Sequence, residues 1–127
     1  MSTLYSDTLL DHFRHPRNYG SLTAPDISNE QFNPLCGDRI RLELKLDKAI
    51  VVEARFKGDA CAICTAAASL LTELVHNQDI ETLAHIPDTQ LISALESDIQ
   101  PARLQCALLP LLALREGLKN HPGKRLI

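Results

Sequence analysis

Residues 40–56 read Ile-Arg-Leu-Glu-Leu-Lys-Leu-Asp-Lys-Ala-Ile-Val-Val-Glu-Ala-Arg-Phe, and their pattern decides the fold. From Ile40 to Leu46 the side chains alternate strictly, with Ile40, Leu42, Leu44 and Leu46 on one face and Arg41, Glu43 and Lys45 on the other. Period two marks a strand with one buried face. After the short polar break Asp47-Lys48, Ile50 to Phe56 gives a second strand rich in β-branched residues. There Val52, Ala54 and Phe56 are set opposite Val51, Glu53 and Arg55. Two such runs with so brief a connection predict an antiparallel hairpin, ended by Lys57-Gly58-Asp59.

Upstream, Ser6 to His15 has Leu9, Leu10 and Phe13 at helical spacing and Asp7 near its start, which predicts a short amphipathic helix stopped by Pro16. Ser21 to Phe32 is polar and contains Pro25, so a loop is expected there, with a short third strand around Ser28 to Phe32. Downstream, Cys61 to His76 is rich in alanine and leucine and reads as a helix, with Asp59 standing where a cap is expected. Ile80 to Ala84 and Asp88 to Leu95 read as two short helices separated by Pro87. Pro101 suits the first turn of a last helix that runs to about Leu118. Pro110 lies inside that helix and removes one backbone bond. The tail from Asn120 is polar.

At 127 residues one domain, 1–127, is expected. Thirteen basic against sixteen acidic residues give a net charge of −3, too mild to imply nucleic acid. Aromatics are 4% of residues with no Trp, which leaves no base-stacking platform. No apolar run approaches the roughly 20 residues that span a bilayer. The N-terminus has no basic flank followed by an apolar segment, so no signal peptide is read there. The expected compartment is the cytoplasm, where thiols stay reduced. Four cysteines in that setting point to metal or sulfur chemistry, or else to small buried apolar groups.

The cysteines fall in three places. Asn33-Pro34-Leu35-Cys36-Gly37-Asp38 sets a thiol and a carboxylate two residues apart on backbone broken by Pro34 and Gly37, which predicts a turn before a regular segment that begins at Arg39. Cys61 and Cys64 stand at a strand-to-helix junction, where a helix N-terminus favours a thiolate at Cys61. Cys106 lies in the last helix, with Arg103 one turn before it and able to stabilise a thiolate or persulfide there. The CxxC formed by Cys61-Ala62-Ile63-Cys64 is shared by redox motifs and metal knuckles. A thioredoxin-type reading requires a parallel βαβ unit, and the hairpin argues against it. A zinc ribbon usually requires a second CxxC, and none is present. What remains is an open, asymmetric site of thiolates from distant segments plus one carboxylate. One harder oxygen ligand holds a soft metal or cluster less tightly than a fourth thiolate would, which suits a carrier.

Several segments together resemble the IscU/NifU N-terminal (SufU-like) family of iron–sulfur cluster assembly scaffolds, over nearly the whole chain. They are Leu9-Leu10-Asp11-His12-Phe13 with Pro16-Arg17-Asn18-Tyr19-Gly20, then Asn33 to Asp38, then Gly58-Asp59-Ala60-Cys61-Ala62-Ile63 with Ser69-Leu70-Leu71-Thr72-Glu73, and finally Pro101 to Leu109 around Cys106. The resemblance implies an α+β, IscU/SufE-like fold: a three-stranded antiparallel sheet packed against about four to five helices, with the site at one exposed end. It implies that Cys36, Asp38, Cys61 and Cys106 bind a transient [2Fe–2S] cluster or Zn²⁺, with Asp38 as the labile ligand. It implies a cysteine desulfurase that delivers sulfur as persulfide, to Cys106 as the least tied thiol. It also implies apo iron–sulfur proteins as acceptors, and a scaffold that is not an enzyme in the turnover sense.

The sequence departs from the family pattern in ways that bear on these expectations. ISC-type members carry His before the last cysteine, where this chain has Gln105. They also present a Leu-Pro-Pro-Val-Lys segment to a DnaK-type chaperone. Ile99-Gln100-Pro101-Ala102-Arg103 stands there instead, so the resemblance gives no support for that partner. SUF-type members often hold zinc and act in sulfur transfer, but they carry an insertion before the last helix that this chain lacks. Cys64 stands where the family usually has Ser, and reads as a fourth thiolate replacing Asp38, a resolving thiol, or a buried isostere of Ser. The histidines, His12, His15, His76, His85 and His121, read as satisfied surface or interface residues, and Asp11 and Arg17 as structural or partner-facing. Two further readings stay open: a zinc-dependent sulfurtransferase partner of a cysteine desulfurase, and a structural zinc domain.

Overall fold

The computed structural model describes residues 5–121. In chain order its elements are α1 (Asp7–Arg14), β1 (Ile27–Asn33), β2 (Asp38–Asp47), β3 (Ile50–Asp59), α2 (Ala62–Val75), α3 (Ile80–Leu83), α4 (Asp88–Ala94), a 3-10 turn (Pro101–Arg103) and α5 (Leu104–Lys119). The three strands form one antiparallel sheet in the order β1-β2-β3, as expected of the α+β class. Beyond His121 the polar tail lies outside the described residues.

The hairpin closes through Lys48 and Ala49, both at positive φ (51° and 72°), with Asp47 paired to Ile50. A two-residue turn with both residues left-handed matches the twist of the flanking strands, which is why it forms here without the usual Asn-Gly. One face assignment is corrected. The pairing shifts between Lys45↔Glu53 and Leu46↔Val51, which leaves Val52 unpaired as a bulge and 41% exposed. The bulge turns Val51 to the same side as Ala54 and Phe56, so these three, rather than Val52, Ala54 and Phe56, are buried. Both hairpin strands run longer than their alternation suggests. Asp38 is the first residue of β2, and Lys57, Gly58 and Asp59 continue β3.

The third strand, expected only around Ser28 to Phe32, runs from Ile27 to Asn33 and pairs along its length with Leu44 to Asp38. The buried face of the sheet carries Ile27, Ile40, Leu42, Leu44, Val51, Ala54 and Phe56. Against it pack α2, over β3, and α5, over β1 and β2. Burying a side chain of the size of Phe56 is worth about 1.5–3 kcal/mol. At Gly117 a Cβ would press into Ile27, so glycine lets the α5 backbone lie close on β1.

On the opposite face Glu43 is buried, where alternation placed it in solvent. Its carboxylate accepts the Leu22 N–H at 2.7 Å and tethers the preceding loop. His12, expected at the surface, is buried too. Its Nδ1 lies 2.7 Å from the Ser69 hydroxyl, which also accepts the Arg17 N–H at 2.8 Å. This knot fixes α1 and the turn after it to α2. Asp11 pairs with Arg17 at 2.6 Å on the surface beside it.

Candidate metal centre

Three chain junctions meet at one end of the sheet. The turn Pro34–Gly37 joins β1 to β2, and Gly37 takes φ +80° there, a left-handed conformation that glycine adopts without strain. The turn leaves Cys36 exposed, with Leu35 beside it 91% exposed. Asp38 follows as the first residue of β2 and is buried. The β3–α2 junction supplies Cys61, and the third residue of α5 is Cys106, also buried.

The donor atoms of Cys36, Asp38 and Cys106 lie within 4.8 Å of one another. The Cys36 and Cys106 sulfurs are 3.5 Å apart. Asp38 is tied on one side only: its Oδ1 accepts the Cys61 amide at 2.9 Å. Its Oδ2 is buried without a hydrogen-bond partner among the described residues. A buried acceptor left unsatisfied costs on the order of 1–3 kcal/mol, more when charged. Here that oxygen sits among sulfur donors, the arrangement of a cation ligand. Burial works against the Asp38 charge, but the Cys61 amide and the thiols of Cys36, Cys61 and Cys106 outweigh it and hold the carboxyl below its usual range. A carboxylate with thiols suits zinc or iron, and the donor set fits either.

Cys61 sits beside this group without belonging to it. It is the N-cap of α2, a role expected of Asp59, which instead ends β3. The Cys61 sulfur accepts the Cys64 N–H at 3.4 Å. Thiols rarely take the capping position, so nothing in the sequence marked it. Cys64 is fully buried in the core, and that burial pushes its thiol strongly up. Of its three readings the geometry favours the buried isostere.

Cys106 is not the least tied thiol. Burial, and then the adjacent Cys36 thiol, push it up to about 12. The accessible sulfur is that of Cys36. Arg103, which closes the 3-10 turn ahead of α5, holds its proton more firmly through the charge of Cys61 and Cys106. Its side chain is exposed, three residues before Cys106. Gln105 points to solvent. No histidine belongs to the compact group among the described residues. Leu35 was not singled out by sequence, although an apolar residue between Pro34 and Cys36 on a turn was the available signal.

The family model described as the NifU-like N terminal domain matches residues 4–127. The chain is 37% identical to a protein of Bacillus subtilis (strain 168) named zinc-dependent sulfurtransferase SufU, over 97% of this chain and 95% of that one. That alignment spans 140 positions against a chain of 127, so the relative carries residues with no counterpart here. The chain is 32% identical to the iron-sulfur cluster assembly scaffold protein IscU of Buchnera aphidicola subsp. Acyrthosiphon pisum (strain APS), over 96% of this chain and 98% of that one. A crystal structure of a nitrogen-fixing NifU-like protein (N-terminal) from Brucella abortus superposes with a TM-score of 0.77 at 19% identity, covering 95% of this chain and 96% of that one. At that identity the likeness speaks for the fold alone. Among the described residues no helix is long and apolar enough to cross a membrane.

Proposed function

This chain belongs to the NifU-like N-terminal domain family, and on that premise we propose that it is an iron–sulfur cluster assembly scaffold formed by a single domain. Iron and sulfide, its cargo, bind on Cys36, Asp38, Cys61 and Cys106, and a [2Fe–2S] cluster passes from there to apoproteins. The observation that carries this reading is the buried, unpartnered Oδ2 of Asp38 within reach of two thiols. The carboxylate is held by the Cys61 amide, with thiols around it and no countercharge paired to it among the described residues, which supports a cation as its partner. Cys36 is the ligand nearest solvent, and Cys106 the one fixed by a helix. Cys61 joins only by giving up its cap on the Cys64 amide. A cysteine desulfurase is the sulfur donor this reading requires, and the exposed Leu35 beside Cys36 is the apolar surface such a partner meets first.

A second reading, a zinc-dependent sulfurtransferase partner, is favoured by the 37% identity to the Bacillus protein of that name. In it the same residues hold Zn²⁺, and one thiolate leaves the metal to accept persulfide sulfur.

Anaerobic purification with metal analysis and a visible spectrum separates the two. Iron and sulfide with broad charge-transfer absorption support the scaffold, and stoichiometric zinc without colour supports the transfer partner. In either case Asp38→Ala is expected to weaken metal retention by at least about tenfold. Full retention by that variant refutes the assigned site. A chelator that unfolds the protein points instead to a structural zinc domain.

A further inference from the structure

Sulfur that arrives as a persulfide is two electrons short of the sulfide a cluster contains. The cleft near Arg103, the polar groove between β3 and α2, and the His12–Ser69 knot offer no electrons. A pair of thiols does. The Cys36 and Cys106 sulfurs are 3.5 Å apart although the residues are 70 positions apart in sequence. Cys106 is buried in the start of α5 and Cys36 is exposed on a glycine-containing turn. A sulfur–sulfur bond is about 2.05 Å long, so bonding asks the turn to advance about 1.5 Å while the helix stays in place.

We propose that in the metal-free protein Cys36 resolves a persulfide carried on Cys106 and releases inorganic sulfide inside the site. This rests on the reading that the chain accepts sulfur from a desulfurase, which reaches the buried Cys106 only while the exposed, glycine-containing turn that carries Cys36 is displaced by the donor. The Cys36 sulfur attacks the Cys106 Sγ. The bond between that Sγ and the outer sulfur breaks, and the outer sulfur leaves with the electron pair as HS⁻. The Cys36 thiol proton passes to water, and a Cys36–Cys106 disulfide remains. The two thiols are oxidised by two electrons and the outer sulfur is reduced by two. An external dithiol reductant, itself oxidised to a disulfide, then restores both thiols by exchange. Cys64 takes no part, because it is buried in the core behind Cys61.

The test loads the full-length, metal-free chain with sulfur from a purified cysteine desulfurase and cysteine. Both are then removed in thiol-free, oxygen-free buffer, and intact mass and free sulfide are followed. The expected product is a chain lighter by two hydrogens, one sulfide released per chain, and a Cys36–Cys106 bridge in the peptide map. Cys36→Ser and Cys36→Ala, folded by circular dichroism, are expected to keep the extra sulfur on Cys106 and to release sulfide roughly tenfold more slowly or worse. A wild-type chain that holds its extra sulfur as long as these variants overturns the proposal, as does a bridge between Cys61 and Cys64 or a sulfur that moves intact to Cys36. A chain that takes up no sulfur overturns both this step and sulfur acceptance. Metal binding at the same residues is then judged separately by metal content.

Discussion

Replacing Gly58 by alanine tests whether the fold holds the site or merely adjoins it. A Cβ at position 58 would land on the Arg39 carbonyl oxygen and within 3.0 Å of the Arg39 carbonyl carbon and the Ile40 Cα. All three atoms are backbone, so no side chain can swing aside. The strands β2 and β3 have to part where Arg39 pairs with Asp59 and Ile40 with Gly58. Overpacking of this kind costs about 1–3 kcal/mol. At roughly 3–6 °C per kcal/mol for a chain of this length, the melting midpoint falls by about 3–18 °C. The displaced carbonyl belongs to the residue after Asp38, and the Asp38–Cys61 bond spans the same gap. A shift of about 1 Å there misplaces the carboxylate, and zinc or cobalt affinity is expected to drop by about ten- to a hundredfold. The assay is a thermal melt of the metal-free protein beside a competitive titration of the metal. A Gly58→Ala variant that melts lower yet binds metal as wild type refutes the claim that this strand contact positions Asp38. One that does neither refutes the close approach itself.

Acidification gives a further expectation. Burial, aided by Arg17 and opposed by Glu73 and Asp11, lowers the His12 pKa below its usual value. Above about 6.5 the imidazole is neutral whether folded or unfolded; below it the unfolded chain takes up a proton that the folded one resists, so stability falls with pH until the folded group titrates. Melts between pH 7.5 and pH 5 should show this loss in wild type and a shallower one in His12→Gln, and equal slopes would contradict it. At the hairpin turn, Lys48→Asn together with Ala49→Gly relieves two left-handed residues and should raise stability by about 1 kcal/mol, measured by urea unfolding. A decrease would mean that the turn is not strained.

The hairpin was legible because period two over Ile40 to Leu46 admits one burial solution. The inner face of β3 was misread because a single bulged residue, Val52, reverses every position before it. The span of β1 was only partly legible, since Ser-Asn-Glu-Gln is polar and its pairing comes from β2, with α5 behind it. Local pattern does not encode a partner 57 residues away, which is why His12 looked like a surface residue until Ser69 stood beside it. The candidate ligands were named by their motifs, but spacing says nothing of which sulfur is turned inward, and the capping role of Cys61 follows from backbone geometry alone.

On the scaffold reading, that role gives the site a way to grip and release. A helix cap is worth about 1 kcal/mol, so recruiting the Cys61 sulfur from the Cys64 amide costs a bound metal about a factor of five. When cargo leaves, the cap re-forms and the thiol has somewhere to go. Cys36 behaves likewise for a different reason, because its turn is exposed and water replaces the metal at little cost. Of the four, Asp38 and Cys106 are the buried residues, and the Asp38 Oδ2 has no hydrogen-bond partner among the described residues. On the proposed reading the movable pair, Cys36 and Cys61, sets the affinity, whereas Asp38, which the resemblance made the labile ligand, is buried and tied to the Cys61 amide. Substituting the Cys64 backbone donor is impossible without proline, so Cys64→Pro, placed in the first turn of α2, is the direct perturbation. It deletes the cap bond but also removes a fully buried side chain, so Cys64→Ala is its control. A competitive metal titration is expected to show tighter binding by Cys64→Pro than by Cys64→Ala, and equal or weaker binding refutes the cap argument.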